Sequence, residues 1–532
     1  MSKIKKAFIN GKIFTADDKN KWAEAIVTEC NRIKFVGTTG NAKKFIDNET
    51  EVFDLMNHLV LPGFIDSHAH LVLGGFYLQG IDLSNAKSKT EFREIFKSFL
   101  TKKNQGWIQG GNWNHQQFEK VELPTKEWID DITANVPVFV HRMDYHMALA
   151  NSAAMNLAGI TKSTPNPIGG EIEKDANGEP TGILKDKAMD LVYKILPEPD
   201  STEFQSAIET ALKETAKFGI TTVHDISYKS HFAEYQKTLN NGKLNCRIYS
   251  IMPIENHEHL IKSEISCPFG NEKLRIGAMK AFADGSLGSS TAYFFQPYED
   301  DKQNCGLAME ILQNGKLKKW AEKCDENNLQ LVIHAIGDKA ISEVIDIYQQ
   351  INSRKQQKDR RFRIEHAQHM HPKDFRRLNE NKIIVSAQPY HLYDDGSWAV
   401  NKIGDERLKT TYAFKSFIKN GIKLCFGSDW PVSTLNPIEG IYAAVTRQTS
   451  DGKNPNGLVP EEKLTVEEAI KCYTINAAFA CFDEKNSGSI ECGKYADFIV
   501  LDCDVFNTQP EKIKDVKVRM TIFDGEIIYS KE

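Results

Sequence analysis

The sequence predicts an α/β fold: a (β/α)8 TIM barrel with a small β-sandwich formed by both termini and an insertion after the first barrel strand. Three observations carry this expectation. Eight apolar runs of strand length recur through the middle of the chain. Helix-like stretches separate most of them. Five of the eight end in a charged or imidazole side chain. A doubly wound open sheet is the rival for alternating strands and helices. The loaded strand ends favour the barrel, because barrel active sites gather at the C-terminal ends of the strands.

The first run is Leu59-Val60-Leu61-Pro62-Gly63-Phe64-Ile65-Asp66-Ser67-His68-Ala69-His70. Read as a strand, it puts Asp66, His68 and His70 on one face, because side chains alternate with period two. Its two imidazoles then lie about 7 Å apart along the strand and can converge on one cation. The other candidate strands are Gly219–Ile226, Cys246–Met252, Leu274–Ala283, Leu329–Ala335, Phe362–His366, Ile383–Gln388 and Ile422–Ser428, with helix-like stretches such as Glu203–Lys217 and Asp338–Ile351 between them.

The two ends of the chain have a different texture. Residues 4–57 hold short β-like runs, with Asn10-Gly11 as a hairpin signal between the first two. Residues 497–529 repeat that texture, with a turn at Asp524-Gly525. Residues 1–58 and 486–532 are therefore read as two parts of one sandwich, and 59–485 as the barrel. The span from the first barrel strand to Gly219 is too long for one βα unit. Residues about 105–185 are read as an insertion covering the active-site face.

Composition narrows the function classes. A chain of 532 residues with 41% hydrophobic and 26% charged content reads as globular. A net charge of −5 gives no reason to expect nucleic acid or a membrane surface as partner. No apolar run reaches about 18 residues, so no transmembrane helix is expected. The opening residues read as a first strand, not a signal peptide. Ten scattered cysteines without a Cys-x-x-Cys pair suggest reduced thiols and a cytoplasmic setting. The expected partner is a small-molecule substrate; a homodimer is compatible with the sequence.

The strand ends carry the chemistry. The first ends at His68 and His70, the fourth contains Lys280, the fifth ends at His334, the sixth at Glu365-His366 and the eighth at Ser428-Asp429. A core strand has no use for such side chains, whereas a divalent metal does. His146, His391, His224 and Trp113 are the candidates for binding substrate; Asp284 shares the strand parity of Lys280 and is read either as the ligand in its place or as a partner that supports the ligands from behind. His257-Glu258-His259 is a second His-x-His but is read as a solvated loop. His369 and His371 precede a helix start and are read as outside the site. Gly488 to Lys494 has P-loop spacing, but Tyr495 replaces the required hydroxyl residue. No Gly-x-Ser-x-Gly elbow and no His-Glu-x-x-His motif occurs, which removes serine-hydrolase and zincin chemistry.

With these residues in place, the chain resembles the amidohydrolase superfamily of metal-dependent hydrolases. The resemblance rests on Pro62 to His70, the strand histidines, Gly427-Ser428-Asp429, Thr465 to Ala478 and Gly493 to Leu501. Asp144-Tyr145-His146 before Asn151-Ser152, Lys280 to Ser289, and Gln388-Pro389-Tyr390-His391 resemble the branch that includes N-substituted formamide deformylases. The resemblance implies that His68, His70 and Asp429 bind the more buried of one or two divalent ions. It implies that Lys280, carboxylated by carbon dioxide, bridges to a second ion on His334 and His366. Zinc suits these donors, while manganese, iron and nickel are alternatives. It also implies cleavage of a C–N bond, in an amide or N-substituted formamide, by metal-activated water with Asp429 as general base and then acid. The alternatives are a deaminase, an ester or cyclic-amide hydrolase using the same site, and an inactive barrel that binds a small molecule.

Overall fold

The computed structural model describes residues 5–101, 106–354 and 358–531. Met1 to Ile4 of the expected opening strand and residue 105 of the expected insertion lie outside the described residues. The chain divides into two compact units. One comprises Met1–Leu71 and Leu212–Glu532, the other Val72–Ala211.

Eight parallel strands dominate the first unit. They are β1 (Phe64–Ala69), β2 (Ile220–Ile226), β3 (Arg247–Pro253), β4 (Leu274–Phe282), β5 (Gln330–Ala335), β6 (Arg363–His366), β7 (Ile384–Ala387) and β8 (Leu424–Phe426). Each pairs in parallel with the next in this order. Nearly every residue in them is buried, which explains why they read as continuous apolar runs rather than alternating ones. Amphipathic helices such as Lys316–Glu326 and Asp338–Asn352 form the crossovers.

No ladder joins β8 to β1 among the described residues, but the strands meet. The Asp429 N–H donates to the His68 carbonyl at 2.6 Å and the His70 N–H to the Trp430 carbonyl at 2.8 Å. An open doubly wound sheet does not bring its two edges together, so the nearly closed barrel replaces that rival. Gly427 permits the approach: a Cβ there would stand 2.4 Å from the His68 backbone nitrogen.

The chain ends form two further sheets. Arg32–Gly37, Ala25–Glu29, Lys5–Ile9 and Thr50–Asp54 make one. Glu526–Ser530, Val518–Phe523, Phe498–Leu501, Leu59–Pro62, Lys12–Phe14 and Trp22–Ala23 make the other. Phe8, Ile26, Val60, Phe498 and Ile522 share one apolar core between them. Two expectations are corrected here. Asn10-Gly11 is not a hairpin, since Lys5–Ile9 and Lys12–Phe14 belong to different sheets and the turn passes the chain from one to the other. Leu59–Pro62 is not part of the first barrel strand, because it pairs with Phe498–Leu501; the barrel begins after Gly63.

The second unit is built on a six-stranded sheet of Gly170–Lys174, Pro180–Asp186, Met147–Ala150, Phe139–Arg142, Gly110–Trp113 and Ile81–Asp82. It extends beyond the expected 105–185 on both sides. Its first two strands are an antiparallel hairpin around the Asn177-Gly178 turn. No helix among the described residues is long and apolar enough to cross a membrane. All ten cysteines are free.

Candidate metal centre

The residues at the C-terminal ends of β1, β6, β7 and β8 converge. His68, His70 and Asp429 form one group of donors, and His366, His391 and Asp429 a second. Within each group one ligand atom per residue lies within 4.8 Å of the others. Asp429 is common to both. Its Oδ1 is 3.1 Å from His70 Nε2 and 3.4 Å from His68 Nε2, and its Oδ2 is 3.8 Å from His391 Nε2. The His68 and His366 rings lie 5.0 Å apart, and the His366 and His334 rings 4.4 Å apart.

Two of these donors leave the strand conformation to reach the site. His366 has φ +71° and Asp429 φ +60°, both in the left-handed region. Non-glycine residues there cost of order 1–3 kcal/mol, a cost met by the packing around the site. Asp66 anchors the same corner. Its Oδ1 accepts the backbone N–H groups of His68 and Ser428, each at 3.0 Å, tying β1 to the turn that presents Asp429.

Protonation follows from burial. Burial pushes the His68 imidazole down to about 4 and that of His366 well below its ordinary value, so both imidazoles are neutral. Burial would raise the Asp429 carboxyl, but the imidazoles of His68, His70 and His366 hold it well below the usual carboxylate range. Lys280 is 3% exposed, and burial pushes its ammonium down to about 8.

The donor set fits a divalent cation. Imidazole nitrogens and a shared carboxylate suit zinc or another first-row metal. Lys280 Nζ, His366 Nδ1 and His391 Nε2 are buried and have no hydrogen-bond partner. Three such buried nitrogens are costly, and ligation or lysine carboxylation removes the cost.

The other expected site residues divide. His391 joins the second donor group rather than only facing substrate. His334 is in neither group. Its Nε2 donates to the Gly285 carbonyl at 3.0 Å, which leaves Nδ1 as its lone-pair nitrogen. Asp284 accepts the backbone N–H groups of Ile336, Tyr293 and Gly337, at 3.0, 2.8 and 2.8 Å, which anchors the loop, and its Oδ1 is 3.5 Å from His334 Nε2, the place of a supporting partner. His224 is fully buried and its Nδ1 accepts from Arg363 at 3.0 Å, so it packs inside the barrel instead of meeting substrate. Trp113 is fully buried in the second unit's apolar core and its indole N–H donates to the Val140 carbonyl at 3.0 Å, the placement of a packing residue. His146, also in the second unit, has Nδ1 2.8 Å from Asp186 Oδ1.

The decoys are structural. His257-Glu258-His259 is not a solvated loop: it begins the helix His257–Lys262, with His257 buried against Trp320. His369 bonds Thr411 Oγ1 at 2.9 Å and enters neither donor group. The Lys494 ammonium donates to the Glu484 carbonyl at 2.6 Å, pegging a loop.

The sequence marks Glu365 as part of a strand end but assigns no role to it or to Arg363. The Glu365 carboxylate accepts from His68 Nδ1, and Arg363 donates to Glu365. Tyr228 was also missed. Its hydroxyl is 3.3 Å from His70 Nδ1 and its ring stacks on His70. Nothing in a loop sequence marks such a residue, whereas two charges at alternate positions of a buried strand are a readable signal.

Comparison with known proteins agrees with this geometry. The profile of the amidohydrolase family matches residues 51–529. The Arabidopsis thaliana "Protein LONG AFTER FAR-RED 3" is 37% identical over 98% of this chain and 91% of its own length. The "N-substituted formamide deformylase" of Arthrobacter pascens is 29% identical over 98% of both chains. The crystal structure of an uncharacterized metal-dependent hydrolase from Pyrococcus horikoshii OT3 superposes with a TM-score of 0.80, at 28% identity, over 95% of this chain and 99% of that one. Barrel, donor groups and full-length similarity agree, and the chain belongs to the amidohydrolase family.

Proposed function

We propose that this protein is a metal-dependent hydrolase that cleaves the C–N bond of an amide or N-substituted formamide. The observation that carries the reading is the pair of donor groups sharing Asp429. The full-length relative named as an N-substituted formamide deformylase supports the substrate class. The two terminal sheets with their common core support the expected sandwich.

A bound divalent ion, zinc by its donors, would polarise the substrate carbonyl and lower the pKa of water. His68, His70 and Asp429 would hold it, with His366 and His391 available for a second. Asp429, kept ionised by its imidazole neighbours, takes a proton from the attacking water on a carboxylate oxygen. It then passes that proton to the leaving nitrogen, which departs as a neutral amine. Lys280 fits carboxylation: as its ammonium pKa is near 8, a fraction of the neutral amine is present at pH 7. That amine adds to carbon dioxide and releases one proton, giving an anionic oxygen donor in place of a repelling ammonium.

Metal analysis of the purified chain with a hydrolysis screen tests the reading. We expect bound divalent metal and release of formate or a carboxylic acid, both lost after chelation; His68→Ala should bind metal more weakly and lose turnover. Asp429→Asn should lower kcat by about 10²–10⁴. Ammonia from ring amines would move the assignment to a deaminase. Turnover of esters or cyclic amides alone would move it to those substrates. Absence of both metal and turnover would leave a binding barrel.

A further inference from the structure

We infer that Glu365 is a positioning residue for the metal centre: it fixes His68 in the tautomer whose Nε2 lone pair faces Asp429, and Arg363 holds Glu365 in place. The inference rests on the metal-dependent reading proposed above.

Three contacts carry it. First, His68 Nδ1 meets Glu365 Oε2 inside the barrel, where both side chains are at most 1% exposed. An ionised carboxylate only accepts, so Nδ1 must carry the proton, and the lone pair is left on Nε2. Nε2 is the atom that stands 3.4 Å from Asp429 Oδ1. Second, Glu365 Oε1 is gripped by the Arg363 guanidinium, with Nε at 3.0 Å and Nη2 at 2.9 Å. Third, Arg363 is anchored by the Ser67 carbonyl at 2.7 Å and by His224 Nδ1 at 3.0 Å. Ser67 is the neighbour of His68, so guanidinium, carboxylate and imidazole form a closed loop between β1 and β6.

This loop gives a use to charges that core packing does not need. A buried Arg–Glu pair is rarely favourable over apolar side chains of similar volume. Here it orients a ligand and raises the basicity of its donor nitrogen, as outer hydrogen-bond partners of metal-bound histidines do. It also explains why β6, alone among the eight strands, carries charges at alternate buried positions, Arg363 and Glu365, before its terminal His366.

A double-mutant cycle on zinc affinity separates this role from a structural one. Zinc binding is measured by competition with a chromophoric chelator for the full chain, Glu365→Gln, His68→Ala and the double variant. Folding is checked by the thermal unfolding of each metal-free form. We expect Glu365→Gln to bind zinc about 10–100-fold more weakly, and to cost less than about twofold once His68 is already alanine. Should Glu365→Gln fail to fold, Glu365→Asp keeps an anion for Arg363 while withdrawing it by one methylene from His68. That variant should fold and lose about tenfold in affinity. Wild-type zinc affinity in a folded Glu365 variant, or a loss undiminished by His68→Ala, overturns the inference. Failure of the functional reading looks different. A wild-type chain that binds zinc and hydrolyses no amide refutes the proposed reaction and leaves the positioning role intact. A wild-type chain without zinc affinity refutes both.

Discussion

Gly427→Ala should damage stability and metal site together, because the seam between β8 and β1 is also where the first donor group is assembled. A Cβ at residue 427 would lie 2.4 Å from the His68 backbone nitrogen and 2.9 Å from both Asp66 Oδ1 and His68 Cβ. Real Cβ atoms essentially never come within 3.0 Å of such neighbours, so β1 and β8 must separate by at least about 0.6 Å, the gap between 2.4 Å and 3.0 Å. Two backbone hydrogen bonds cross this seam, at 2.6 and 2.8 Å, and each contributes about 1 kcal/mol. Overpacking a filled interior adds about 1–3 kcal/mol. The expected loss is therefore about 3–5 kcal/mol. The same separation pulls Asp429 Oδ1 away from His68 Nε2, now 3.4 Å apart, so zinc affinity should fall as well. The assay pairs urea unfolding of the metal-free chain with chelator competition. Gly40→Ala is the control: it has open space around it within the short helix Thr39–Ala42 and should be neutral or slightly stabilising. A Gly427→Ala protein with wild-type unfolding midpoint and zinc affinity would refute the claim that the seam builds the site.

Three further outcomes follow from particular residues. Lys280→Ala should lose hydrolysis, and short-chain carboxylic acids should partly restore it by supplying the missing oxygen donor; indifference to the substitution would remove the carbamate. His369 is held neutral by burial, its pKa pushed down to about 3, whereas the unfolded imidazole titrates near about 6.5. Its contribution is therefore complete above pH 6.5 and is lost as pH falls. Going from pH 7 to pH 5 should cost about 2 kcal/mol, and denaturant titrations of His369→Gln should show that much less acid sensitivity. Trp113→Phe removes the indole N–H from the Val140 carbonyl and should lower stability by about 1–2 kcal/mol while leaving kcat unchanged; a changed kcat would return Trp113 to the pocket.

Much of the barrel was legible because its strands are buried on both faces. Such strands must be apolar throughout, and the runs Gly219–Ile226 to Ile422–Ser428 match β2 to β8 within two residues at either end. The donors were legible for the complementary reason. A buried strand that ends in His68, His366 or Asp429 has no apolar explanation for that side chain. The termini were harder. Asn10-Gly11 has the chemistry of a hairpin turn, but a turn does not say which sheet receives the next strand. Leu59–Pro62 is as apolar as Phe64–Ala69, and only its pairing with Phe498–Leu501, more than 400 residues away in the chain, assigns it to another sheet.

Within the site, the limit of alternation is instructive. Period two puts Glu365 and His366 on opposite faces, so a regular pleat offers the barrel interior one or the other. The structure uses both. Glu365 points inward by the regular pleat and meets His68, while the backbone at His366 turns to φ +71° and swings the next side chain to the same centre. Asp429 arrives in the same way, at φ +60° just past the end of β8. Regular strand geometry thus supplies the hydrogen-bond partner of His68, and departures from it bring in His366 and Asp429. A periodicity argument sees the first class only if charges inside a strand are treated as informative, and it cannot see the second. Arg363 and Glu365 were therefore recoverable from sequence, as two charges of one parity in a strand buried at every position. The convergence of His366, His391 and Asp429 was not, because it depends on two left-handed backbone turns and on a helix, Pro389–Asp395, that opens directly after β7.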